Sequence, residues 1–299
     1  MTTPPIADTA IEDPASLRGV ACVVTGGSMG IGFAIAEHIV RVGGRLVICA
    51  RGEGGLRAAA SKLEAIGSGP VVPVVADVSR PSDVEHLFDV ASGAFGDVRG
   101  VVHCAAILGP IGPVVGVEPD PWLETLRVNL FGAFLVTRAA CRRMIAHSAG
   151  GSIVLLSGGG AGSAFPNYTA YACSKVGVAR FTESVALEMA PHGIQVNCLG
   201  PGFVATRMHD ETLAAGDLAG AVYLERTKVE LSKGGVSPSV AARAAVFLLS
   251  ARSRGISGRF VAAPYDDVER WPDHLNEIRA SDVFTLRRIV PRDRGMDWQ

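Results

Sequence analysis

From Gly19 onward, short β-branched apolar runs alternate with Ala-rich stretches of helical length, and this alternation limits the fold more than any other feature. Runs this short and this apolar suit parallel strands covered on both faces, and parallel neighbours need crossover connections long enough for a helix. The strand candidates are Val20 to Thr25, Arg45 to Ala50, Val71 to Ala76, Gly100 to Cys104, Ser152 to Ser157, Ile194 to Cys198 and Arg259 to Ala263. The expectation is an α/β fold: a doubly wound seven-stranded parallel sheet with helices on both faces, whose ligand crevice lies beyond the carboxyl ends of the strands.

Composition narrows the function classes. A chain of 299 residues with 48% apolar residues fills the core of one large domain. Lys plus Arg number 28 against 29 Asp plus Glu, so no basic field gathers nucleic acid or anionic lipid. Six cysteines stand singly, without the paired spacing of a metal site or the density of a disulfide scaffold. A reducing cytoplasm and no metal are expected. The start, Met1 to Pro14, is polar and Pro-rich, and no run approaches the ~18 apolar residues of a membrane span, so neither export nor insertion is expected. The chain divides into an N-terminal arm (1–18), a catalytic domain (19–263) with an excursion at 202–235, and a tail (264–299).

The first strand runs into Thr25-Gly26-Gly27-Ser28-Met29-Gly30-Ile31-Gly32, followed at once by the helical segment Phe33 to Val42. Glycine permits the positive φ of a tight turn and the close approach of backbone to a pyrophosphate, and the next helix offers free N–H groups and a favourable dipole. A dinucleotide fits this context. The second strand ends in Ala50-Arg51, where an acidic residue would accept ribose hydroxyls. An arginine there pairs instead with a 2′-phosphate, which favours NADP(H) and leaves NAD(H) possible. Asp77, before Val78, is a candidate partner of the adenine amino group or a turn cap.

Tyr171 and Lys175 are four residues apart at the start of a helical stretch, so both project from one face. An ammonium beside a phenol favours the phenolate and brings it toward acid/base work near neutral pH.

Taken in order, the Thr25 to Gly32 loop, Asp77, Asn129 in Val128-Asn129-Leu130, Tyr171-Ala-Cys-Ser-Lys175 and Pro201-Gly202-Phe-Val-Ala-Thr206 resemble the short-chain dehydrogenase/reductase family from Arg18 to Ala263. The resemblance implies a Rossmann-type domain with Tyr171 as acid/base and Lys175 on the nicotinamide ribose, lowering the phenol pKa. It implies Asn129 holding a water of the proton relay. It also implies Gly26, Ser28, Met29, Gly30, Ile31 and Gly32 around the pyrophosphate, Asp77, Val78 and Ala105 on the adenine side, and Pro201, Gly202, Val204 and Thr206 at the nicotinamide. Read alone, Asn129 would satisfy helix backbone and Thr206 would cap a helix. The helices Pro121 to His147 and Tyr171 to Met189 resemble the pair that builds dimers and tetramers in this family, so a homodimer or homotetramer is expected.

The sequence departs from the family pattern in three places. The family's catalytic serine lies thirteen residues before the tyrosine, where this chain has Gly158, while Ser157 lies fourteen before. Either the flexible Gly158-Gly159-Gly160 loop lets Ser157 serve, which is the expectation, or Ser157 points to the other face of its strand and the hydroxyl is missing; Ser163 is a distant substitute. His103-Cys104-Ala105-Ala106 replaces Asn-Asn-Ala-Gly, with His103 read as a satisfied core histidine near the adenosine and Cys104 and Cys173 as small buried residues. The chain then continues through Pro264 for 36 residues bearing Trp271, Trp298 and a charge-rich Arg287 to Arg294 stretch. This tail closes a pocket, packs an interface or wraps the surface; its wording is similar to tails on members tied to sugar or cyclitol metabolism.

The expected activity is reversible hydride transfer between NAD(P)(H) and a secondary alcohol or ketone, a sugar or cyclitol among the candidates, with Ser157 polarising the substrate oxygen. Its pocket draws on Gly202 to Gly235, Leu108 to Val117 and the tail. The rivals are a reductase of 3-oxoacyl thioesters or small ketones, and a catalytically silent NADP(H)-binding regulatory protein.

Overall fold

The computed structural model describes residues 17–67, 69–148 and 150–298. Most of the N-terminal arm lies outside them; Leu17, at its end, is buried and donates its N–H to the Val42 carbonyl at 3.3 Å. The chain alternates β1 (Ala21–Thr25), α1 (Gly30–Arg41), β2 (Arg45–Ala50), α2 (Glu53–Ile66), β3 (Val71–Val75), α3 (Pro81–Phe95) and β4 (Val98–His103). It goes on through α4 (Pro119–Leu126), α5 (Gly132–His147), β5 (Gly151–Leu156), α6 (Thr169–Met189) and β6 (Ile194–Gly200). The excursion folds as α7 (Arg207–Ala215) and α8 (Ala221–Ser232), before α9 (Pro238–Leu249), β7 (Phe260–Ala262) and a short α10 (Leu275–Arg279) in the tail.

All seven strands are parallel in the order β3-β2-β1-β4-β5-β6-β7. The order reverses at β1 and β4, whose last residues Thr25 and His103 lie in register, so a crevice opens at that switch point. Alternate residues of each strand feed two cores: Cys22, Val24, Leu46 and Ile48 pack toward α1, α2 and α9, and Val23, Val47, Val101 and Ile153 toward α3, α5 and α6. Each fully buried leucine or isoleucine in these layers contributes about 1.5–3 kcal/mol.

Two expectations change. β4 begins at Val98 rather than Gly100, and the stretch read as one helix from Pro121 to His147 is broken by a π-turn at Arg127–Phe131. The extra residue lets Asn129 turn into the site while Gly132 comes against Val78, where a Cβ would sit 3.0 Å from the valine Cγ2.

The tail is a strap. Arg259 donates to the carbonyls of Ile278 (2.5 Å), Ser281 (3.1 Å) and Val283 (2.7 Å), and Phe260 N–H donates to Phe284 O at 2.7 Å, covering the open edge of β7. Phe284 stacks on the buried Trp271 at 4.3 Å, while Trp298 stands exposed.

Candidate active site

The glycine loop sits at the end of β1, and its packing leaves no room for side chains. A Cβ at Gly26, whose φ is +66°, would meet Ala105 N at 2.9 Å, and one at Gly32 would fall 2.2 Å from Gly26 O. Gly30 opens α1 at φ +56° and faces Thr206, whose Cγ2 lies 3.7 Å from where a Cβ would be. A cradle of this shape, with helix N–H groups behind it, fits a pyrophosphate. Ser28 is half-buried and Met29 exposed, both at the mouth, and Ile31 packs inward against the core.

On the adenosine side, Arg51 is exposed just past β2 and acts electrostatically on Asp77. Partial burial raises the Asp77 carboxyl, but hydrogen bonds from the Ser79 N–H and hydroxyl, with the charges of Arg51 and Arg80, hold it below the ordinary value. Asp77 thus caps its own turn and stands beside Arg51. Val78 is buried beneath Gly132. Across the crevice, Gly202 takes φ +80° against Pro264, the Val204 N–H donates to Gly202 O, and Thr206 begins α7 in a capping box with His209. Pro201 and Val204 are buried.

The opposite wall carries Tyr171 and Lys175 on α6. The Lys175 ammonium donates to Leu156 O at 2.9 Å and lies 5.5 Å from the Tyr171 ring centroid. Burial lowers its pKa to about 8 against the opposing pull of the Cys198 and Cys104 thiols. Lys175 was expected to lower the tyrosine, yet burial pushes the phenol up, and the Tyr223 phenol adds to the rise.

Asn129 is fully buried, and its amide is committed: Oδ1 accepts from Ile107 N at 2.9 Å, and Nδ2 donates to Ile107 O (2.9 Å) and Ser174 Oγ (3.0 Å). Ser174 in turn donates to Tyr171 O, so the asparagine ties the β4 loop to the turn of α6 that carries the tyrosine.

The expectation for Ser157 is corrected. Its Oγ donates to the Lys175 carbonyl at 3.4 Å and lies beside the Cys198 thiol, on the core side of the sheet. Ser157 N–H still bonds to Leu199 O, so the chain stays strand-like and successive side chains alternate. Gly158 is the residue that faces Tyr171, where a Cβ would be 2.4 Å from the hydroxyl oxygen. The positive φ that turns the chain comes at Gly160, too late to rotate Ser157. Ser163 is exposed.

Two further readings change. His103 adjoins Lys175 rather than only the adenosine side. Its Nδ1 pairs with Thr25 Oγ1 at 2.9 Å, its Nε2 is buried without a partner among the described residues, and burial together with the lysine charge lowers its pKa to about 3. Cys173 is exposed rather than buried, and Cys104 is partly buried with its thiol raised to about 12 by burial.

Sequence reasoning did not single out the aromatic wall over Tyr171. Phe165 and Tyr168 stack at 4.3 Å, and Tyr223 of α8 meets them edge-on at 4.6 and 5.1 Å. Leu108, Ile111, Met208 and Leu224 complete this apolar cluster around the phenol. Hydrophobic periodicity marks such residues as core, and only the fold brings the 165–168 turn and α8 together.

Among the described residues no helix is long and apolar enough to cross a membrane, and no His, Cys, Asp or Glu cluster could hold a metal.

The site has relatives. Residues 26–263 match the family described as enoyl-(acyl carrier protein) reductase. An NADPH-dependent aldehyde reductase-like chloroplastic protein of Arabidopsis thaliana is 36% identical over 208 residues, 66% of this chain and 77% of that one. An L-rhamnose 1-dehydrogenase (NAD(P)(+)) of Azotobacter vinelandii is 33% identical over 79% of this chain and 91% of its own. A solved actinorhodin polyketide ketoreductase with NADPH superposes with a TM-score of 0.75 at 26% identity, covering 82% of this chain and 96% of that one. With its parallel sheet, glycine cradle and Tyr171–Lys175 pair, the chain belongs to the short-chain dehydrogenase/reductase family and is an oxidoreductase of that kind.

Proposed function

We propose that the protein is an NADP(H)-preferring reductase of ketones or aldehydes with a small apolar or aromatic body, working reversibly on the corresponding alcohol. The observation that carries this reading is the buried Tyr171 phenol beside the Lys175 ammonium, facing an apolar wall of Leu108, Ile111, Phe165 and Leu224. A nicotinamide bound across the cradle supplies the hydride. Tyr171 gives its proton to the substrate oxygen, Lys175 holds the nicotinamide ribose and its positive charge favours the phenolate left behind, and Asn129 fixes the loop and helix that frame the relay. Arg51 holds the 2′-phosphate, which agrees with the NADPH named for the Arabidopsis relative and the ketoreductase.

The polyhydroxylated substrate expected from the tail is the second reading, favoured by the rhamnose dehydrogenase relative. Leu108, Ile111, Phe165 and Leu224 offer sugar hydroxyls no partner, which favours the apolar substrate. Gly158 keeps the silent NADP(H)-binding reading in play. Exposed Phe131 and Phe134, beside Leu123 and Phe181 on the α4 to α6 face, support a homodimer or homotetramer. Six unpaired cysteines fit a reducing compartment, the cytoplasm or one like that of the chloroplastic relative.

Oxidation of NADPH with aromatic ketones and diacetyl, and reduction of NADP+ with L-rhamnose, separate the readings. Oxidation of NADPH with the apolar carbonyls, and a poorer rate with NADH, supports the proposal. Turnover with rhamnose alone moves the substrate to the sugar class, and tight NADPH binding without turnover on any of them moves the protein to the silent class.

A further inference from the structure

The loop after β5 brings no hydroxyl to Tyr171. Ser157 is turned into the core, and the space beside Gly158 is filled by the Tyr171 hydroxyl itself. Cβ atoms at Gly159 and Gly160 would run into Phe165 (3.1 Å) and Ala172 (2.6 Å), so this loop is packed shut. The Tyr168 hydroxyl is spent on Thr212 Oγ1 at 3.2 Å.

A second phenol stands on the facing wall. Tyr223 is half-buried, its ring held edge-on by Phe165 and Tyr168 at interplanar angles of 77° and 71°, an arrangement with little rotational freedom. It packs in the same cluster as Tyr171, and the Phe165 ring that it meets edge-on also covers Gly159, the neighbour of the Gly158 that faces the Tyr171 hydroxyl. One helical turn further on, the buried Thr227 hydroxyl lies within hydrogen-bonding reach of that phenol and has no other partner among the described residues.

Resting on the reductase reading above, we propose that Tyr223 supplies the second hydroxyl of the reaction centre, so that the substrate oxygen is held between the phenols of Tyr171 and Tyr223. In the reduction, a bound reduced nicotinamide would supply the hydride and its electron pair to the carbonyl carbon. The C=O π pair moves to oxygen, and the new O–H bond forms with the Tyr171 proton, leaving a phenolate that recovers a proton from solvent. Tyr223 keeps its own proton. Its O–H donates a hydrogen bond that strengthens as negative charge builds on the oxygen, the role in which one donor changes kcat by about 100-fold.

The test uses the full-length protein with NADPH and two probes, diacetyl and phenanthrenequinone. Tyr223→Phe keeps the ring and its edge-on contacts and removes only the hydroxyl. The expected result is a kcat lower by about 100-fold, KM within about threefold, and an unchanged NADPH Kd read from cofactor fluorescence. Thr227→Val, one step removed, lowers kcat by about threefold to tenfold through loss of positioning. A Tyr223→Phe variant that keeps wild-type kcat while Tyr171→Phe loses it overturns the proposal and leaves Tyr223 a wall residue.

Failure of the underlying reading looks different, since the wild type would then not oxidise NADPH with either probe. In that case the affinity of benzoate for the NADPH-loaded protein decides, because a carboxylate oxygen accepts from both phenols. Affinity weaker by about tenfold in Tyr223→Phe supports the two-phenol clamp, and equal affinity overturns it.

Discussion

A Cβ at Gly158 would lie 2.4 Å from the Tyr171 hydroxyl oxygen, so the phenol occupies the space that a side chain at position 158 would need. Gly158→Ala is therefore expected to move the proton donor rather than to unfold the protein. A displacement of this size lowers kcat by about 100-fold with little change in Tm. Steady-state kinetics beside a thermal melt check it.

Arg51 stands exposed past β2, where it can meet a 2′-phosphate without rearrangement. Arg51→Ala is expected to weaken NADPH binding by about tenfold and to leave NADH binding unchanged, because one charge-assisted contact is lost and only NADPH carries the phosphate. Titrations of cofactor fluorescence on the wild type and the variant give the ratio.

The architecture was legible because it rests on periodicity. Apolar runs such as Arg45 to Ala50 can only be central strands, and a glycine loop between strand and helix has few other uses. What escaped was direction. Ser157 and Gly158 are adjacent in sequence, yet the strand's alternation sends one into the core and the other to Tyr171, and triple glycine gave no sign of where the turn would fall. Tyr223 escaped because a helix in a long excursion carries no spacing relative to α6, and the break at Arg127–Phe131 because π-turns have no local sequence mark.

His103 sets an acid limit on stability. Its folded pKa of about 3 lies below the ordinary 6.5, so between these values the unfolded chain binds a proton that the native state refuses. Stability is full above pH 6.5 and falls as pH drops toward 3, by up to about 4–5 kcal/mol from this residue. His103→Asn is expected to flatten that limb of the curve in urea melts; an unchanged slope would contradict the buried neutral imidazole.

Lys175 acts at the other end. Its pKa of about 8 predicts that the reduction slows as pH rises through 8 and the ammonium beside Tyr171 is lost. In Lys175→Arg the guanidinium stays charged, and the alkaline fall moves upward whatever the absolute rate.

Arg259 holds three tail carbonyls, so Arg259→Ala is expected to remove about 2–4 kcal/mol and to open the strap over β7. Limited proteolysis should then cut within 280–298 first, with the rest of the domain intact.

The central claim is that Tyr171 delivers the proton, and it is tested most directly by single-turnover NADPH oxidation in Tyr171→Phe with diacetyl as acceptor. The account predicts an NADPH Kd equal to that of the wild type and a rate lower by at least about a thousandfold, since the proton donor is gone while the cradle from Gly26 to Gly32 is untouched. A rate within tenfold of wild type at equal cofactor affinity would contradict it.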